Sequence, residues 1–200
     1  MASGLPVLVD ADTGFGEAEM VHKTVWEYFL SGASGMHIED QVFPKRCGHL
    51  DGKSLIPKED MVKKVEIAVK ASKECSGGEF IICARTDAKG VEGIEATIDR
   101  SKAYIDAGAD MIFPEGLATK EEFEQVAKAL KGYGPKKGAY LLANMTEFGK
   151  TPYISLQEFK ELGYHCVIFP VSTFRIANQA VSNFLKELKE TGTQKGTIEK

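Results

Sequence analysis

The residues able to do chemistry are few and recur at similar places along the chain. Asp10-Ala-Asp-Thr-Gly-Phe-Gly16 puts two carboxylates at i and i+2. On a strand these would point the same way and could face one hard cation, for which carboxylate and water ligands suit Mg²⁺ or Mn²⁺. A pair of loop-capping Asp side chains is the plainer alternative. Gly14 and Gly16 resemble the start of a dinucleotide fingerprint, but Glu19 stands where the third Gly belongs, so a nucleotide site is not expected. His37 and Glu39 repeat the i, i+2 spacing, with Glu39 able to join a metal shell directly or through water. A buried, hydrogen-bonded His is the expected fate of His37.

Lys45-Arg-Cys-Gly-His49 is the densest segment. A thiol flanked by Lys45, Arg46 and His49 sits in a positive field that favours a reactive Cys47, and Gly48 lets backbone approach a ligand closely. A solvated basic loop with an incidental thiol is the alternative. Cys83 and Cys166 read as buried strand residues and Cys75 as incidental; no CxxC pair or disulfide framework is present. Arg85 could clamp a carboxylate through two hydrogen bonds, or form a structural ion pair with Asp87 or Glu115. Asn144 and Thr146 offer neutral hydrogen-bonding groups. Arg175 lies close to a helix N-terminus, which suits anions, and is otherwise a surface Arg.

The elements that must carry these residues follow from hydrophobic patterning. Six nearly continuous apolar runs, 5–12, 35–40, 79–87, 110–115, 139–145 and 166–171, predict parallel strands covered on both faces. Amphipathic segments at 17–32, 58–74, 92–107, 119–131, 155–162 and 173–190 predict helices; in the last, Phe174, Ala177, Val181, Leu185 and Leu188 share a face. A weak repeat links 31–39, 106–115 and 161–170, each a helix ending at Gly before a buried strand. The polar residues cluster at the C-terminal strand ends, where a TIM-type (β/α) barrel converges its chemistry; the expected fold is therefore α/β, a single domain over 1–200 with about six of the eight βα units of such a barrel.

Composition excludes other classes. A net charge of −4 opposes a nucleic-acid or anionic-membrane surface, and no apolar run reaches the roughly 20 residues of a membrane span. Methionine 1 is followed by neither a basic region nor an apolar stretch of the signal-peptide kind, and a cytoplasmic location is expected, or a mitochondrial one if a targeting segment lies upstream.

Seven segments in order (Asp10–Gly16, His37-Ile-Glu-Asp-Gln41, Lys45–His49, Ala84-Arg-Thr-Asp-Ala88, Phe113-Pro-Glu115, Asn144–Gly149 and Phe169–Arg175) resemble the isocitrate lyase/phosphoenolpyruvate mutase superfamily, most closely its 2-methylisocitrate lyase branch. The resemblance implies a magnesium-dependent carbon–carbon lyase that cleaves 2-methylisocitrate to pyruvate and succinate by retro-aldol (Claisen-type) chemistry. It implies Mg²⁺ (or Mn²⁺) on Asp10 and Asp12, with Glu39 reached through water, and Cys47 as proton donor in a catalytic set with Glu39, His49 and Arg85. Cys47, Gly48, Arg85, Glu115, Asn144, Met145, Thr146 and Arg175 would line a small tricarboxylate or oxo-acid. A homo-oligomer, in the family a tetramer, is the implied assembly.

Two alternatives stand beside it: an oxaloacetate hydrolase or dimethylmalate/isocitrate lyase of the same superfamily, and a truncated non-catalytic relic. Family members carry further βα units upstream and an extension downstream, so the chain alone is expected to be weakly active or inactive.

Overall fold

A computed structural model describes residues 4–48 and 50–198; His49 lies outside them. Strands β1 (Leu8–Asp10), β2 (Gly35–Glu39), β3 (Ile81–Thr86), β4 (Met111–Pro114), β5 (Tyr140–Asn144) and β6 (Cys166–Ile168) alternate with helices α1 (Ala18–Leu30), α2 (Lys58–Ser76), α3 (Ile94–Asp106), α4 (Lys120–Leu130), α5 (Leu156–Leu162) and α6 (Ser172–Thr191), followed by a short α7 (Lys195–Ile198). All neighbouring strands pair in parallel, in the order β1 to β6. The sheet is the curled part-barrel of a TIM-type fold, as the pattern of strands and helices predicts. Among the described residues no helix is long and apolar enough to cross a membrane.

The helices form for local reasons that can be read in α2. Glu59 and Asp60 sit in its first turn, where the positive end of the helix dipole favours them, and Lys73 sits in its last. Met61, Val65, Ala68 and Ala71 recur on one face and are fully buried against the sheet. Gly77 closes the helix in the left-handed conformation, its N–H donating to the Lys73 carbonyl while the Gly78 N–H donates to the Ser72 carbonyl. Helix α5 begins with a reciprocal capping box between Ser155 and Glu158.

Strand parity then sorts the side chains into two layers. Met36, Ile38, Ile82, Ala84, Ile112, Leu141 and Ala143 face the helices and join the main core. Their alternates point inward, where Cys83, Phe113 and Leu142 form a smaller cluster with Leu8, Met111, Cys166 and Ile168. The register aligns Asp10 with His37, and Glu39 with Arg85 and Phe113, so the inward-facing polar residues occupy consecutive levels at the C-terminal strand ends.

One expectation needs correction. Strand β1 ends at Asp10, and Asp12 lies beyond it with a positive φ of 46°, so the two carboxylates do not converge by strand alternation. A tight turn brings them together instead: the Asp12 N–H donates to Asp10 Oδ1 at 2.9 Å. Gly14, at φ 90°, completes that turn, where a Cβ would lie 2.6 Å from Val21. The apolar face foreseen for α6 exists, but none of its residues is buried; Phe174, Ile176, Val181 and Leu185 are exposed. Its stripe meets no other described element closely enough to be covered.

Candidate active site

Three carboxylates meet one ammonium at the end of the first two strands. Lys45 Nζ lies 2.8 Å from Asp12, 3.8 Å from Asp10 and 3.7 Å from Glu39. Burial alone would lower the Lys45 pKa, but the bond to Asp12 and the charges of Glu39 and Asp10 outweigh it and raise it. Lys45 was foreseen only as part of the positive field around Cys47; in the structure it turns into the acidic group. Glu39 is fully buried, and neither of its oxygens has a hydrogen-bond partner. Burial pushes its carboxyl up to about 7, outweighing the attraction of Arg85 and Lys45.

An orphaned buried carboxylate beside two half-exposed ones is a donor set that suits a hard divalent cation, so the residues fit the expected Mg²⁺. Among the described residues no three His, Cys, Asp or Glu side chains form a ready-made ligand cluster; these acids are spaced around the ammonium. His37 stands beside them, with Nδ1 3.7 Å from Asp10 and its ring edge-on to Phe113. Burial lowers its pKa, so it is a neutral packing residue; it is buried as expected, but its Nδ1 lacks the expected hydrogen bond.

The second group centres on Arg85. Its Nε and Nη2 donate to the two oxygens of Asp87 at 2.9 and 3.2 Å, and it lies 3.3 Å from Glu39 and 3.7 Å from Glu115. Its guanidinium also sits 5.0 Å above the Phe113 ring. Burial would lower its pKa, but the Glu115, Asp87 and Glu39 carboxylates reverse that and hold it above the ordinary arginine range. Of the two readings of Arg85, the structural ion pair is formed in this state, with Asp87 occupying its two-donor edge. Asn144 Nδ2 donates to Glu115 at 3.3 and 3.4 Å, and the Thr146 hydroxyl donates to Asn144 Oδ1 at 2.7 Å.

The cysteine loop spans both groups. Its base is fixed by Gln41, whose side-chain amide donates to the Arg46 carbonyl and accepts from the Arg46 N–H, both at 2.9 Å. Gly48 is buried against Glu115: a Cβ there would lie 2.6 Å from the Glu115 carboxyl carbon, so only glycine allows this approach. Cys47, between Lys45 and Gly48, is exposed with a free thiol. Cys83 is buried, which raises its thiol pKa, and Cys166 and Cys75 are half-buried.

Not every expected residue joins this constellation. The Met145 side chain is buried in the main core, where Sδ accepts from the Ile154 N–H at 3.4 Å, so only its backbone could face a ligand. Arg175 stacks on Phe148, 4.7 Å from the ring centre. His49 lies outside the described residues. Two contributors went unforeseen: Asp40, which braces the strand ends from the helix side, and Lys53, buried beneath the loop. Asp40 is adjacent to Glu39 and parity alone would have sent it to the opposite face; Lys53 lies in irregular chain with no periodicity to betray it.

Fold and site together define a β/α-barrel protein with three carboxylates gathered around a lysine, a buried arginine and a thiol-bearing loop at the C-terminal strand ends. The profile of the phosphoenolpyruvate phosphomutase family matches residues 1–189, and the chain belongs to that family, within the PEP mutase/isocitrate lyase superfamily. It is 54% identical over 98% of its length to a 2-methylisocitrate lyase of Aeropyrum pernix, of which it covers 60%. A solved 2,3-dimethylmalate lyase is 41% identical with a TM-score of 0.86, covering 94% of this chain and 60% of that one. An oxaloacetate acetylhydrolase bound to 3,3-difluorooxalacetate is 36% identical with a TM-score of 0.87, covering 95% and 62%. The chain thus spans about three fifths of the length of the relatives it matches.

Proposed function

We propose that this chain carries the catalytic loop and most of the binding residues of a magnesium-dependent carbon–carbon lyase that cleaves 2-methylisocitrate to pyruvate and succinate. The observation that carries the reading is the span of one short loop. Lys45 touches the Asp10–Asp12–Glu39 group, Gly48 rests on Glu115, and Cys47 stands between them. On this reading the thiol would work between the acids that hold the cation and the polar group that binds the substrate's carboxylates.

Asp10 and Asp12 would hold Mg²⁺, with Glu39 behind them; when bound, the ion supplies a Lewis acid for the oxygens of the oxo-acid half of the substrate. The chain's own residues do the rest. Gly48 backbone, Asn144 and Thr146 orient the substrate, and Arg85 supplies fixed positive charge for the carboxylate on which charge grows as the bond breaks. Cleavage between the hydroxyl-bearing carbon and its neighbour leaves the bonding pair on the succinate fragment. The Cys47 Sγ–H donates the proton that completes succinate, and the hydroxyl proton lost as the pyruvate carbonyl forms passes to solvent, from which the thiolate is reprotonated. A homo-oligomer and a cytoplasmic setting accompany this reading by resemblance.

The test is a chimera in which this chain replaces the matching segment of the Aeropyrum pernix relative. We expect chelator-sensitive pyruvate release from 2-methylisocitrate that Cys47→Ala reduces by roughly 10²-fold or more. A folded chimera that acts on oxaloacetate or 2,3-dimethylmalate in preference to 2-methylisocitrate would overturn the substrate assignment.

A further inference from the structure

Lys53 is a buried ammonium that the proposed chemistry does not use. Its side chain is 4% exposed, although it lies in irregular chain between β2 and α2. An ammonium is not taken out of water without partners, because the desolvation cost would go uncompensated. Two partners are present. Lys53 Nζ donates to the Gly48 carbonyl and lies 3.7 Å from Asp87 Oδ1. The fold also makes room for it at Gly90, where a Cβ would stand 3.3 Å from Nζ.

The charges explain why a cation is needed there. Around Arg85 stand three carboxylates, Glu39, Asp87 and Glu115, against one guanidinium. Lys45 reaches Glu39 from one side, and Lys53 adds a further positive charge at Asp87. Asp87 is itself held by its N–H donating to Asp40 Oδ1 at 3.0 Å, so the anchor beneath Lys53 belongs to the rigid strand layer. Among the described residues, two further hydrogen-bonded points hold the loop on either side of the thiol. The Leu50 N–H donates to the Cys47 carbonyl at 2.9 Å, and Gln41 secures Arg46 independently.

We propose that Lys53 is a positioning residue that clasps the Gly48 carbonyl to Asp87 and so fixes the backbone that carries the Cys47 thiol. Its consequence for proton donation rests on the reading of Cys47 given above; the clasp itself does not. Removing the ammonium while keeping side-chain length should free the turn at 47–50 and leave the Gln41-held base in place.

The test is residue-resolved amide exchange on the 200-residue chain without substrate. In Lys53→Met we expect the Leu50 amide to exchange at least about tenfold faster, with Arg46 changed less than about threefold. Lys53→Arg, which keeps the charge and both donors, should return Leu50 to within about threefold of the parent chain. Leu50 protection in Lys53→Met equal to that of the parent would overturn the clasp, because methionine fills the same space without the charge. Since no substrate is present, failure of the lyase assignment would leave this result untouched, and the reverse also holds.

Discussion

Glu39 and Asp40 are neighbours in sequence, both carboxylates, both fully buried, and they face opposite sides of the sheet. Asp40 turns to the helix layer and is saturated. It accepts from the Thr86 hydroxyl at 2.7 Å, the Asp87 N–H at 3.0 Å, the Tyr104 hydroxyl at 2.8 Å and Arg100 at 3.5 Å. Arg100 in turn donates twice to Glu92 at 2.8 Å and once to the Ile56 carbonyl. Glu39 turns to the barrel mouth, and its carboxylate has no hydrogen bond. One carboxylate locks β2, β3 and α3 together; the other is held without a hydrogen bond beside Lys45 and Arg85. A buried polar group left without partners costs stability, a cost that the cation of the proposed function would offset at Glu39 and that Asp40 avoids through its own partners.

The contrast can be broken most forcefully at Asp40. Asp40→Ala strands Arg100, Tyr104, Thr86 and the Asp87 N–H together, and we expect a loss of about 3–5 kcal/mol in urea unfolding. Glu39 should respond to pH instead. Its folded pKa of about 7 lies above its ordinary 4.5, so the folded chain binds that proton more tightly than the unfolded one. The stabilisation is complete below 4.5 and is lost as pH rises through about 7, on the order of 2–3 kcal/mol, in metal-free buffer. Unfolding measured across that window should show the decline, and Glu39→Gln should flatten it.

A smaller effect is expected at Lys45, whose ammonium competes with a divalent ion for the same three carboxylates. Lys45→Met should tighten Mg²⁺ binding about tenfold by calorimetry. Smallest is Tyr104→Phe, which removes one of the donors to Asp40 and should cost about 1 kcal/mol.

Much of this architecture is legible in the amino-acid sequence alone. The apolar runs from Leu8 to Ile168 and the helical spacing of Met61, Val65, Ala68 and Ala71 are direct records of burial, so the order of strands and helices can be read from them. Glu39, Arg85, Glu115 and Asn144 can be grouped because parallel strands bring their C-terminal ends to one mouth. What stays hidden depends on the turns. Asp12 reaches Asp10 by a left-handed backbone, not by strand alternation. Lys45 points at acids instead of the thiol, and Lys53 folds under the loop, because irregular chain has no period from which a direction could be inferred. The exposed stripe of α6 shows the converse limit: amphipathic spacing records that a face is made to be covered, not what covers it.

The most direct measurement is Mg²⁺-dependent unfolding of the parent chain, Glu39→Gln and Asp40→Asn side by side. The account predicts that Mg²⁺ raises the stability of the parent and of Asp40→Asn by similar increments, although the second starts from a much lower baseline. Glu39→Gln should start at least as stable as the parent and gain little or nothing from the ion. An undiminished Mg²⁺ increment in Glu39→Gln, or its loss in a folded Asp40→Asn, would contradict the division of labour between the two carboxylates.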